Sequence, residues 1–473
     1  MNPYLQGPFA PVKEEVTAYD LPVSGRVPPE LDGRYLRNGP NPLNVEDPVA
    51  HHWMLGEGMI HGVRLRDGRA EWYRNRWVRS AGVTDGLGEP PLPGRTGDVG
   101  PDTDLAANTH VIRHAGRTLA LIEGGPRPYE LDDELGTVGP YDFGGALDGA
   151  FTAHTKIDPV NGELHAVAYF PLWDHVRHLV VDGTGTMVRA TGIPIPDAPM
   201  MHDFALTERY VVLIDQPVTF GVELARAGEA VPYLWNEEHR ARVGVMPRDG
   251  VGGVRWIDIE PCYVAHTLNA YDEGSSVILD LVRYPRMDVR TNTAEPAALE
   301  RWTIDPGAGT TRRRTIDDRP QEFPRVNENV LSRRHRYGYA AVTGEMNAVA
   351  MPPVDGPLPD EAFDNALIKH DYDRDTAEVH RFGRHATVGE GVFAPSRAPS
   401  RAASGAASGA ASGAVSGAGE DDGYVLAYAH DPERGAADLV ILSAQDFTGE
   451  PVARIHLPVR VPLGFHGSWL PDL

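Results

Sequence analysis

Turn residues set the rhythm of this chain more than any other feature. Its 51 glycines and 41 prolines punctuate nearly every segment of 473 residues, and the stretches between them are short and rich in Val, Leu, Tyr and Thr. Such stretches are too brief for ordinary helices and have the β-branched and aromatic content of strands. Six of them fold back on themselves around an acidic or glycine turn, as hairpins do: 62–73, 111–122, 155–169, 299–315, 367–382 and 424–442. Hairpins in succession over this length predict an all-β fold, a β-propeller of radial four-stranded blades, with a double sandwich as the alternative. The clearest helical pattern is over 218–239, Ala/Glu-rich and interrupted by Pro232, and is read as a cap over one face of the sheets.

Charge and cysteine content exclude several function classes. The net charge is −23, and no basic run exceeds Arg312-Arg-Arg314 or Arg333-Arg334, so the concentrated basic face that nucleic acid needs is absent. The single Cys262 can form neither an internal disulfide nor a thiolate metal cluster. No window approaches the roughly 18 apolar residues of a membrane span, and the first residues have no basic head or apolar core, so a soluble cytoplasmic protein is expected. Residues 402–419 repeat Ala, Ser and Gly and can bury almost nothing. The segment after them is too small for its own core, which predicts one domain over 1–473 carrying a low-complexity loop insertion at 402–419.

Four of the 19 histidines stand apart. His154, His202, His266 and His466 each open or follow a short strand-like segment bounded by Gly, Pro, Asp or Asn. A propeller brings the inner ends of its blades to one axis, so imidazoles spread over 300 residues can converge there. Imidazoles with no thiolate and no carboxylate among the ligands suit Fe, Zn, Cu or Ni. A ligating imidazole usually hands its other N–H to a carboxylate. Glu123, Glu322 and Glu390 are acids set oddly in apolar or glycine surroundings, and serve as candidates for that role against a plainer reading as edge-strand charges. His110, His114, His165, His178, His239, His335, His370, His380 and His430 lie among charged or turn residues and are expected at the solvated surface.

These blocks resemble the carotenoid cleavage oxygenase family, which includes apocarotenoid and lignostilbene oxygenases and the retinal isomerohydrolase. The resemblance runs nearly end to end, through Gly33-Arg-Tyr-Leu-Arg-Asn-Gly-Pro-Asn-Pro42, Gly56-Glu-Gly-Met-Ile-His61, Ala107-Asn-Thr-His-Val111, the four histidine motifs and Glu322-Phe-Pro-Arg-Val-Asn327. It implies a seven-bladed propeller with a helical and loop dome over a tunnel. It also implies Fe(2+) held by His154, His202, His266 and His466, with Glu123, Glu322 and Glu390 behind them. Thr109 resembles the small β-branched residue that the family places beside an open iron position. The implied reaction is oxidative cleavage of a carbon-carbon double bond by O2 into two carbonyl fragments.

Stilbene- and phenylpropanoid-cleaving members carry a lysine just before the first of these glutamates, and this chain has Ile122 there. An isoleucine cannot hydrogen-bond a phenol, which favours an apolar polyene, a carotenoid or apocarotenoid, over an aryl-alkene. The alternatives are a stilbene-cleaving dioxygenase on the same scaffold, anaerobic chemistry such as isomerisation or ester cleavage at the same metal, and a metal-free binding propeller. Peripheral membrane contact is attached to two apolar segments, 170–173 and 231–235, which serve equally well as core of the dome.

Overall fold

A computed structural model describes residues 2–93, 106–343, 365–383, 385–396 and 419–472. Seven larger antiparallel sheets carry almost all of the strand content, with two two-stranded ribbons beside them. In chain order, blade II is His110–His114, Arg117–Leu121, Tyr129–Leu131 and Thr137–Pro140; blade III runs from Thr155–Ile157 to Met187–Pro194. Blade IV runs from Phe204–Leu206 to Arg255–Asp258, blade V from Thr267–Glu273 to Thr310–Asp317, and blade VI from Gln321–Arg325 to Thr376–Arg381. Blades I and VII are built from both ends of the chain. Gly467–Pro471 pairs with Gly33–Pro40 in blade I, and Val23–Gly25 pairs with Ala453–His456 in blade VII. These two pairings close the ring by joining strands from the two ends of the chain within single blades.

Each blade covers the face of the next, so strands are buried on both sides and read as near-continuous apolar runs. All eight residues of Gly33–Pro40 are buried. Seven apolar clusters correspond to the seven neighbouring blade pairs. Leu36 and Ile60 meet Val111 and Ala120 between blades I and II, and Val212 and Val243 meet Leu279 and Trp302 between IV and V. Tyr35 and Val63 meet Leu426 and Leu439 between I and VII, across the closure. Trp302 is fully buried, and truncating a side chain of that size in a core costs about 3–5 kcal/mol.

This double burial overturns the expectation for the other histidines. His110, His114, His165, His178, His239, His335, His370, His380 and His430 are all buried. Their partners come from other strands and loops, not from the residues beside them in sequence. His165 Nδ1 and His178 Nε2 are 3.0 Å apart, with Arg248 donating to His165 Nε2 at 2.9 Å. His335 Nε2 lies 3.1 Å from Asp280. The helix expected over 218–239 is also corrected. Only Val222–Arg226 is helical, flanked by Val218–Phe220 and Tyr233–Trp235, which pair as a ribbon. Gly221, Gly228 and Pro232 interrupt the pattern on both sides, so a longer helix would carry three breakers in its length.

The dome is therefore mostly loop and ribbon. A second ribbon, Met287–Asp288 with Thr293–Ala294, interrupts blade V. Of the two apolar segments assigned to a membrane surface, Phe170 and Trp173 pack on the cluster between blades II and III, and Tyr233 and Trp235 on that between III and IV. Leu172 at 71% and Leu234 at 36% are the side chains that project. No helix among the described residues is long and apolar enough to cross a membrane. The Ala-Ser-Gly tract lies outside the described residues except for Gly419.

Candidate metal centre

The innermost strand of a blade begins at the axis, and the residue at its leading end points into it. His154 and His266 directly precede Thr155–Ile157 and Thr267–Glu273, His466 directly precedes Gly467–Pro471, and His202 stands two residues before Phe204–Leu206. Four separate blades thereby deliver four imidazoles to one place. Ligand atoms of His154, His202 and His266 lie within 4.8 Å of one another. The His466 ring joins them, with its centroid 4.7 Å from that of His154 and 4.8 Å from that of His266.

For two of the four rings an acid fixes which nitrogen is free. His266 Nδ1 donates to Glu322 Oε2 at 2.6 Å, and His466 Nδ1 donates to Glu390 Oε1 at 2.9 Å. A proton on Nδ1 leaves the Nε2 lone pair pointing inward. Glu322 also accepts the Phe323 amide at 2.5 Å, and Glu390 accepts the Gly467 amide at 2.8 Å. The third contact is looser: His202 Nδ1 is 3.7 Å from Glu123 Oε2, beyond hydrogen-bond length. Glu123 instead accepts from Thr152 Oγ1 at 3.2 Å and Tyr169 at 3.5 Å. His154 has no acid behind it; its backbone N–H donates to Thr152 Oγ1 at 3.4 Å.

Burial and neighbouring charge pull these groups in different directions. Burial, then the charge of the adjacent imidazoles, holds His154 and His202 well below the ordinary histidine range. Burial opposes the charged form of His266 too, but the charge and hydrogen bond of Glu322 overcome it and leave that ring raised. Burial pushes the carboxyl of Glu123 well above its ordinary range. It acts likewise on Glu390, where Arg325 and His466 prevail and hold the carboxyl far down.

The donor set fits a cation. His202 Nε2 and His266 Nε2 face each other at 3.4 Å. With its Nδ1 proton held by Glu322, His266 turns an Nε2 lone pair toward that meeting point. His154 Nε2 is buried with no hydrogen-bond partner, a costly state for a polar atom that a metal ion relieves. Cys262 is buried in the core between blades IV and V, away from the axis.

A cavity of about 460 Å³ under the dome opens onto His202, His266 and His466. Ile122, Tyr263, Phe323 and Phe465 give it apolar walls, and Met287 and Ala294 of the dome ribbon cover it. Thr109 lines it beside His466, its hydroxyl donating to Asn108 Oδ1 at 3.0 Å and its carbonyl accepting the His466 amide at 3.0 Å. A second cavity of about 710 Å³ reaches His154, His266 and His466 along the inner strands, past Lys156, Asp203 and Asn327.

The four imidazoles that meet here, and Glu123, Glu322 and Glu390 beside them, are the ones singled out from sequence. Missed from sequence were Phe323, whose ring lies 5.5 Å from His266 and 5.6 Å from His466, and Arg325, which donates to Glu390 at 3.0 Å. Both belong to the block that carried the resemblance, but the apolar Phe-Pro step gives no sign from sequence that the strand bulges there.

A carotenoid cleavage oxygenase of Mycobacterium tuberculosis is 43% identical to this chain over 99% of its length and 98% of the relative's. Two solved structures superpose on the whole propeller at 27% identity. The cobalt-substituted apocarotenoid oxygenase of Synechocystis gives a TM-score of 0.81 over 98% of this chain and 97% of that one. The lignostilbene dioxygenase of Pseudomonas brassicacearum gives 0.83 over 99% and 98%. Residues 9–471 match the family described as Retinal pigment epithelial membrane protein, so the chain belongs to that family, the carotenoid oxygenases.

Proposed function

We propose that this protein is an Fe(II)-dependent dioxygenase that cleaves a carbon-carbon double bond of a carotenoid or apocarotenoid into two carbonyl products. The observation that carries the reading is the meeting of four imidazoles, free of thiolate and of any directly ligating acid, at the edge of an apolar cavity. His154, His202, His266 and His466 hold the ion through their inward nitrogens. Glu322 and Glu390 fix the rings of His266 and His466, and Glu123 stands behind His202 beyond hydrogen-bond length. A bound ferrous ion supplies the dioxygen chemistry, in which both oxygen atoms end in the two carbonyl fragments.

The protein's own task is then placement and exclusion of water. Ile122, Phe323 and Phe465 offer a polyene dispersion contact and no hydrogen bond, so its alignment comes from shape. Thr109 has committed its hydroxyl to Asn108, which leaves a methyl group as its free end beside the centre. Ile122 favours a polyene over a hydroxystilbene because a phenolate would find no cation at that wall. We assign the activity to one domain over 1–473, with 402–419 a loop insertion, and to the cytoplasm, where a lone buried Cys262 is at home. Contact with a membrane surface rests on the projecting Leu172 and Leu234; flotation with liposomes that leaves all protein in the bottom fraction removes it.

The test is aerobic incubation of the Fe(II)-loaded protein with apocarotenals and hydroxystilbenes, with products identified by mass. Paired carbonyl fragments from the apocarotenals, each labelled from 18O2, are expected. Turnover of the hydroxystilbenes alone overturns the substrate assignment, and product formed without O2 overturns the dioxygenase assignment.

A further inference from the structure

The three acid contacts behind the imidazoles are unequal, and the difference follows what stabilises each buried carboxylate. Glu322 has a backbone N–H, and Glu123 has two hydroxyls and sits back at 3.7 Å from its ring. Glu390 has a full cation. Arg325 donates through Nη1 to Glu390 Oε1 at 3.0 Å, and the same nitrogen donates to the Gly467 carbonyl at 3.2 Å. Its other Nη holds Glu328 at the rim. Glu390 in turn takes the Gly467 amide and the His466 ring. Both peptide groups of the residue after His466 are thus gripped, one by the acid and one by the cation.

The backbone explains how one short strand reaches two ligands. Gln321–Arg325 is the inner strand of blade VI, and simple alternation would send Glu322 and Arg325 to opposite faces. Its register against Tyr337–Val342 slips between Glu322 and Arg325, and Phe323 adopts φ +55°, a left-handed conformation rare for an aromatic residue. The bulge turns both residues to the axis, Glu322 onto His266 and Arg325 onto Glu390. A strained backbone retained beside a cluster of ligands is what a positioning device looks like.

We infer that Arg325 is a positioning residue for the metal centre, acting through Glu390 and Gly467 to hold the His466 ring with its inward nitrogen aimed at the ion. The inference rests on the metal-centre reading above and adds to it a residue that touches neither ion nor substrate. Arg37, the other buried arginine nearby, donates to the Pro462 carbonyl and does not replace it.

The experiment is cobalt(II) affinity, by competition with a chelator, for wild type, Arg325→Met, Arg325→Lys, Glu390→Gln and the double variant Glu390→Gln/Arg325→Met, with the visible cobalt bands recorded for each. Arg325→Met is expected to weaken binding about 10- to 100-fold and shift the bands, as loss of a partner behind a ligand does. Arg325→Lys restores part of the loss. In the Glu390→Gln background the same Arg325→Met change costs less than roughly 3-fold, because the path it acts through is already cut. Arg325→Met binding cobalt like wild type, or losses that multiply in the double variant, overturns the inference. Should Arg325→Met not fold, Arg325→Lys against the double variant, which leaves no buried charge alone, decides between the same outcomes. Wild type that takes up no cobalt at all defeats the metal-centre reading itself, and this inference with it.

Discussion

Glu322→Gln isolates the strongest of the contacts behind the imidazoles. The substitution keeps the shape and an oxygen for the Phe323 amide, and converts the 2.6 Å bond to His266 from charge-assisted to neutral. A hydrogen bond to a charged group contributes about 1.5–3 kcal/mol and a neutral one about 0.5–1.5, a difference of about 1–2 kcal/mol. Because the bond sets the inward lone pair of His266, that difference appears in metal binding as a loss of about 5- to 30-fold. The same change at Glu123 removes no hydrogen bond to a ligand, since His202 Nδ1 stands 3.7 Å away, and is expected to cost under about 3-fold. Chelator competition with cobalt(II) on both variants measures the two numbers side by side. A loss at Glu123→Gln equal to or greater than that at Glu322→Gln would refute the reasoning, because distance and not charge alone is held to decide the effect.

Three further outcomes are expected. A chain lacking 402–419 keeps wild-type Tm and product yield, and a fall in either shows that the tract does more than connect. Ile122→Lys places an ammonium in the apolar wall and lowers apocarotenal turnover by about 10-fold or more while improving any turnover of hydroxystilbenes; unchanged apocarotenal kinetics contradicts the placement of substrate against that wall. His239 is clamped between Asp197 at 2.9 Å and Asp215 at 2.8 Å, the latter also bound by Arg242. Burial opposes its charge, but the two acids overcome it and raise the ring above its ordinary 6.5. Its contribution to stability is therefore complete below about pH 6.5 and is lost as pH rises through the raised value. Wild-type Tm should fall more steeply than that of His239→Gln from pH 6.5 upward, and parallel curves count against the clamp.

The contrast between what the sequence disclosed and what it concealed is physical. Strands, hairpins and the four histidines that converge were legible because each depends on local signals: a turn residue, a short β-branched run, a histidine at a strand's leading end. The nine histidines expected at the surface were misread because solvation was judged from neighbours along the chain, such as Arg177 beside His178, while burial in a propeller is decided by the next blade. The 218–239 segment shows the same limit from the other side, since its Ala/Glu content argued for helix while Gly221, Gly228 and Pro232 held it to one turn and a ribbon. Arg325 was hidden by a bulge: read at period two, it faces away from Glu322, and only the slip at Phe323 turns it inward.

The central claim is that four imidazoles from four blades share one ion. X-ray absorption at the iron edge of the anaerobically Fe(II)-loaded protein tests it most directly, read together with metal content per chain. One iron per chain, coordinated by four imidazole nitrogens in wild type and retained by none of the four single His→Ala variants at 154, 202, 266 and 466, is the predicted result. Iron that binds substoichiometrically, shows sulfur or predominantly oxygen ligands, or survives unchanged when His266 or His466 is removed would contradict it.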